Sequence, residues 1–354
     1  MLPSTRLHSY SCQTIKSVFM KKYLLILVAA FFLSSCEKAL MPNSGSTDAE
    51  TVFETLWSTL DKGYSFFEYK NIDWNAVYQT YRPQINNGMS EKDLFTVCSN
   101  MLRVLKDGHV NLRAGFSTSY YHDFYLNYPA NFNKEVIDRN YLRGFEVTGP
   151  LYHTVLSGNI GYIYYGSFAT NFTDEQLDVV LTRFNNVTGL KGIIFDVRNN
   201  PGGNPENAHR LFRRIAQQKT LLYQTKYKDG EAHDDFTEWQ DSYIEPTDDR
   251  VKYTGKIIVL TNRKCYSACN FFVAGCKAFS QIKTVGDQTG GGGGQPTGFE
   301  LPNGWSVNFS GSITALPNGF IIENGVLPDV NVATNATDEA AGIDTIIETA
   351  KTLL

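Results

Sequence analysis

Apolar residues recur at helical spacing from Thr47 to about Leu105. Val52, Phe53, Leu56 and Leu60 form one stripe, and Leu94, Val97, Met101, Leu102 and Leu105 form another. Ser90, followed three residues on by Asp93, reads as the N-terminal cap of the second helix. The stretch 47–114 therefore predicts a helical subdomain of two or three helices. Residues 115–157 lose the period and are rich in aromatics (Tyr120, Tyr121, Phe124, Tyr125, Tyr128), which predicts an irregular connecting segment. From Gly161 onward the pattern alternates. Strands are expected at Tyr162–Tyr165, Gly192–Val197, near Leu221, at Ile257–Leu260 and at Thr284–Gly286. Helices are expected at Asp174–Phe184, Pro205–Ala216 and Ser267–Phe279. Such alternation over 158–354 predicts α/β layers around a largely parallel sheet.

The N-terminus follows another logic. Lys21 and Lys22 precede eleven apolar residues, Tyr23 to Leu33, and the small residues Ser34 and Ser35 lead into Cys36. A basic segment, a short apolar segment and small residues form an export signal, and eleven apolar residues are too few to span a bilayer. Leu33-Ser34-Ser35-Cys36 resembles a bacterial lipobox, so residues 1–36 read as a leader ending in an acylated Cys36, with Met20 the better start. Residues 37–46 are small and polar, a tether. The expected location is the bacterial cell envelope, exported and lipid-anchored.

Charge narrows the partners. The chain has 32 Lys+Arg against 36 Asp+Glu, and loss of residues 1–35 leaves 28 against 36, a formal charge of −8. No basic surplus exists to neutralise phosphates, which argues against nucleic acid, and lipid rather than a basic patch is expected to hold the membrane. Cys98, Cys265, Cys269 and Cys276 are too few for a disulfide framework. With no His near the last three, buried thiols are expected rather than a metal site. No cofactor is implied.

Four segments carry candidate chemistry. Leu105-Lys106-Asp107-Gly108-His109 ends a helix and presents a lone His, although a solitary His is more often structural. Asp196-Val197-Arg198-Asn199-Asn200-Pro201-Gly202-Gly203 runs from a buried strand through a Gly-Gly turn into a helix. Backbone N–H groups there suit a developing oxyanion, or the segment is an ordinary turn. Ser267 stands at a helix start after the Ile257–Leu260 strand, where it is either an N-cap or a nucleophile beside the Ala268 N–H. Glu323 sits between an apolar strand and a turn, where most carboxylates are solvated. Gly290 to Gly294 is either a mobile loop or backbone passing very close to something else, and no Lys-Ser/Thr follows to make it a phosphate loop.

Taken in order, these segments resemble the tail-specific, or C-terminal processing, serine peptidases. The closer likeness is to the branch containing the tricorn core protease and the interphotoreceptor retinoid-binding protein modules. It rests on LKDGH at 105–109, DVRNNPGG at 196–203, YSACNFF at 266–272, VGDQTGG at 285–291 and ENGVLPD at 323–329. The resemblance implies a ClpP/crotonase-like α/β core with a helical N-terminal subdomain. It also implies Ser267 as nucleophile, His109 as base, Glu323 in the proton-relay network, and an oxyanion held by Ala268 and the Gly202-Gly203 turn. Two departures stand out. The Lys of the Ser–Lys branch is missing from the glycine run, and Lys264 and Lys277 do not match its position. The interval before Gly161 is too short for a PDZ domain, so tail recognition would fall to the helical subdomain or the aromatic segment 115–130. The expected activity is a membrane-tethered endopeptidase acting on peptides or unfolded proteins. A binding module that has lost catalysis, or an esterase using the same Ser and His, remains open.

Overall fold

A computed structural model describes residues 47–354; the leader, Cys36 and the tether 37–46 lie outside the described residues. The central layer is a seven-stranded sheet. Its spatial order is Val330–Asn331, Ile282–Gly286, Ile257–Thr261, Gly192–Asp196, Ile160–Tyr164, Leu151–Leu156 and Glu146–Thr148. The first five strands run parallel, Leu151–Leu156 runs against them, and Glu146–Thr148 is antiparallel to Leu151–Leu156. Gly192–Asp196 and Ile257–Thr261 are buried at every position, as continuous apolar runs in the middle of a parallel sheet must be.

Side-chain alternation assigns the two faces. Ile193, Phe195, Ile257, Val259 and Ile282 join one core, shared with the helices Asp174–Asn185, Pro205–Ile215 and Ala268–Cys276. Ile194, Ile258, Leu260 and Val285 join the other, packed on Ile346, Ile347 and Ala350 of the helix Thr345–Thr352. Local signals start these helices where the sequence places them. Thr173 and Gln176 form a capping box, and Asn204 caps a helix that opens on Pro205.

The predicted helical subdomain consists of Ala49–Gly63, Trp74–Tyr81 and Glu91–Arg103, the last capped by Ser90 as expected. Its core is not confined to 47–114. Trp305, Val307 and Phe309 pack against Phe53, Leu94 and Leu102. A four-stranded sheet of Pro296–Glu300, Ser306–Ser310, Asn111–Ala114 and Ser117–Tyr120 carries Val307 and Phe309, and Trp305 directly precedes its second strand. The pairing of Leu112 with Val307 is a long-range contact that no local period reports. Residues 115–157 are likewise less irregular than expected, since they supply Ser117–Tyr120, Leu151–Leu156 and Glu146–Thr148. A third sheet, Ser312–Ala315, Thr220–Tyr227 and Gln240–Ile244, continues the strand beyond Gly311. Residues 48–354 form one compact unit.

Candidate active site

Ser267 occupies the N-cap position of Ala268–Cys276, but its side chain caps nothing, and its backbone is at φ 54°, ψ −125°. A non-glycine residue in that region costs about 1–3 kcal/mol and persists only where its surroundings enforce it. Here the enforcement is specific. Ser267 N–H donates to the Gly291 carbonyl at 3.0 Å, and the Tyr266 N–H to the Asn200 carbonyl at 3.2 Å. The side chain that an ordinary N-cap would spend on the helix is therefore left facing the cleft.

The Gly-Gly turn divides its duties between its two glycines. Gly202 is buried, and its N–H donates to Asn200 Oδ1 at 2.9 Å, so it cannot serve an oxyanion. Gly203 is exposed and lines the same cleft as Ser267 and Ala268. The expectation that both glycines donate meets one difficulty, the Gly202 N–H already engaged by Asn200, whereas Gly203 and Ala268 line the cleft beside Ser267. Gly202 has a steric task. A Cβ there would lie 2.5 Å from the Tyr266 carbonyl oxygen and 2.9 Å from Ser267 Cβ, at φ +95°. Gly202→Ala is expected to lower kcat/KM by about 10²-fold, the scale of one lost oxyanion donor, because it pushes the Ser267 turn off the donors. Steady-state kinetics on a fluorogenic peptide, with circular dichroism as the folding control, checks this.

The five-glycine run is a close backbone pass and joins three loops. Gly290 N–H bonds the Cys265 carbonyl, Gly291 accepts from Ser267, and Gly292 N–H bonds the Glu323 carbonyl. Gly293 N–H donates to Glu323 Oε2 at 2.8 Å. The Gly294 backbone adjoins the His109 ring and favours its protonated form. A Cβ at Gly291 would sit 2.0 Å from the Glu323 carbonyl oxygen, which leaves no room for any other residue.

His109 stands edge-on to Tyr266, with ring centroids 5.0 Å apart, so the base candidate abuts the residue before Ser267. Ser267 Oγ and His109 make no direct hydrogen bond; Nδ1 of His109 is buried with no protein partner. Asp107 organises the loop. It accepts from the His109 backbone N–H at 2.8 Å, from Ser310 Oγ at 2.8 Å and from the Tyr266 hydroxyl at 3.2 Å. Burial opposes its charge, but Lys70, His109 and these donors outweigh burial and hold its carboxyl below the usual range. Burial pushes the His109 imidazole down; Asp107 opposes this and Lys70 reinforces it.

Glu323 is buried rather than solvated. Its Oε1 accepts from Lys70 Nζ at 2.7 Å, with 8% and 2% of the two side chains exposed. Burial and the nearby Asp107 raise its carboxyl to about 7 against the pull of Lys70 and the Gly293 N–H. Sequence pattern alone assigns no chemical role to Lys70, Asp107 or Tyr266. Only Asp107 left a local trace, two residues before His109 with Gly between, the spacing at which a carboxylate captures a backbone N–H. Lys277 pairs with Asp329 at 2.6 Å and Lys264 lies over the Tyr125 ring, so neither takes the place of the missing Lys.

The cleft holds about 560 Å³ and is lined by Ser267, Gly203, Phe271, Tyr223, His209 and Gly294 among others. His209 was not foreseen; its Nε2 meets the Tyr223 hydroxyl at 3.1 Å. The aromatic segment braces the loop from behind, with Phe124 stacked on Tyr266 at 4.4 Å and Arg263 over the Tyr128 ring at 4.0 Å. Cys265, Cys269 and Cys276 are buried free thiols, as the sequence implies.

Known proteins match this chain in sequence and fold. Residues 159–332 match the model for peptidase family S41, and residues 46–103 that for the tricorn protease C1 domain. The crystal structure of a Parabacteroides merdae protein assigned as a peptidase is 40% identical, with a TM-score of 0.83 over 87% of this chain and 97% of that one. A CtpA-like serine protease of Staphylococcus aureus is 30% identical over 181 residues, 50% of this chain but only 34% of its own length. Mature CPAF, at 14% identity and a TM-score of 0.67 over 87% of this chain and 98% of its own, shares the mixed α/β fold alone. With a helical N-terminal region on a mixed α/β core, both parts matched, the chain belongs to the S41 family of serine-type peptidases.

Proposed function

We propose that the protein is a serine endopeptidase that cleaves peptide bonds in extended or unfolded segments through an acyl-enzyme on Ser267. The seven-stranded layer is then the ClpP/crotonase-like core of the resemblance, without a PDZ domain, and Cys36 the lipid-bearing residue that tethers the exported enzyme to the cell envelope. The observation that carries the reading is Ser267 itself, held in a strained turn with its hydroxyl unspent on capping. Ser267 Oγ attacks the scissile carbonyl carbon while His109 takes its proton. The carbonyl oxygen becomes an oxyanion facing the N–H groups of Gly203 and Ala268. Collapse breaks the C–N bond, His109 returns the proton to the leaving amine, and water cleaves the ester by the same steps. Glu323 and Asp107 supply the negative surroundings that favour an imidazolium. A fluorophosphonate probe tests this: the wild type should be labelled at Ser267, and equal labelling of Ser267→Ala overturns it.

The pH dependence has a definite sign. The base works as neutral imidazole, and burial holds His109 below its ordinary value of about 6.5. Activity should persist below that pH and be lost as pH falls through the depressed value. A kcat/KM profile whose acid limb lies above 6.5 and survives Glu323→Gln would contradict His109 as the base.

A further inference from the structure

Lys70 comes from the helical subdomain, 253 positions before Glu323 and 35 before Leu105. Its ammonium reaches Glu323 Oε1 at 2.7 Å and the carbonyl oxygens of Leu105 and Lys106 at 3.1 Å each. An ammonium has three N–H donors and a neutral amine two, so three acceptors fix the protonated form. Lys70 therefore cannot act as a general base in the manner of a Ser–Lys pair.

Resting on the peptidase reading above, we propose that Lys70 is a positioning residue for that reaction. It locks the His109 loop to the Glu323 turn and sets the charge felt by the imidazole. Two observations support this independently. The first is mechanical: the acceptors on Leu105 and Lys106 are the last carbonyls before Asp107-Gly108-His109, and Glu323 is bonded to Gly293, next to the Gly294 that touches His109. One ammonium thus fixes both ends of the connection that holds the imidazole. The second is electrostatic. The buried carboxylates of Asp107 and Glu323 face a single buried ammonium. With a neutral imidazole and Glu323 ionised, above its raised value of about 7, the cluster carries one net negative charge, which the imidazolium of the transition state cancels. The remaining groups around it are the hydroxyls of Tyr64, Tyr69, Tyr121 and Tyr266 and the ring of Phe66, none charged at neutral pH.

Without Lys70 the two carboxylates are uncompensated, and both the imidazole and Glu323 hold protons more tightly. The rate of fluorophosphonate labelling at Ser267, followed against pH, reads this directly. Lys70→Met is expected to label at least tenfold more slowly at neutral pH, with its acid limb moved about one unit toward higher pH. Lys70→Arg keeps the charge and should keep the wild-type limb while labelling more slowly, because a planar fork cannot meet the same three acceptors. A purely structural residue would slow labelling without moving the limb. Should Lys70→Met fail to fold, Lys70→Met/Glu323→Gln removes one charge of each sign and should keep the wild-type limb while labelling slowly; a limb displaced there by a full unit, or an unshifted limb in folded Lys70→Met, overturns the proposal. Absence of labelling in the wild type would instead overturn the peptidase reading.

Discussion

Replacing Ser267 with alanine is expected to lower kcat by at least about 10⁴-fold and to abolish fluorophosphonate labelling, with the folded state unharmed. The size follows from the chemistry, since without the Ser267 hydroxyl no acyl-enzyme can form there. Stability should move little, because the hydroxyl makes no capping bond to lose and the strain at φ 54° lies in the backbone, which alanine inherits. Any residual rate would come from the donors and from substrate positioning, as in other Ser-dependent sites. Kinetics on a peptide substrate, together with a urea unfolding curve of unchanged midpoint, checks both halves.

The second large effect is on stability. Arg198 is buried between Asp196 and Asp344, with contacts of 2.7 and 2.9 Å and no more than 1% of any of the three side chains exposed. Asp344 also caps the helix Thr345–Thr352, and Asp196 accepts from the Tyr162 hydroxyl at 2.8 Å. Arg198→Met should cost about 3–5 kcal/mol, because it leaves two carboxylates buried without a counter-charge. Urea denaturation should show the loss as a lower midpoint at constant slope. Asp196→Asn/Arg198→Met/Asp344→Asn, which removes every charge at once, should recover a good part of it. If Arg198→Met unfolds with the wild-type midpoint, the network contributes nothing.

The central sheet and its flanking helices were legible because buried parallel strands such as Gly192–Asp196 are continuous apolar runs and the helices carry Thr173 and Asn204 at their starts, as Ser90 starts a helix of the N-terminal subdomain. Ser267, His109 and Glu323 stood out only as members of an ordered set. What stayed hidden depends on groups brought together across the fold. Gly202 and Gly203 are adjacent and look alike; which N–H is free is decided by the side chain of Asn200. Lys70 lies between Tyr69 and Asn71 with no pattern to mark it, since its partners are tens to hundreds of residues away. The strands at 296–300 and 306–310 contribute to a core whose other half is near the N-terminus, and a window moved along the chain cannot see that.

That last pairing governs the order of events during synthesis. Asn111–Ala114 waits for Ser306–Ser310, and the His109 loop waits for Gly293, Gly294 and Glu323, so nearly the whole polypeptide must emerge before the site can assemble. Closure across such distances is slow. A ribosome-bound chain consequently lacks an assembled site, and whatever activity the site carries arrives as the final act of maturation.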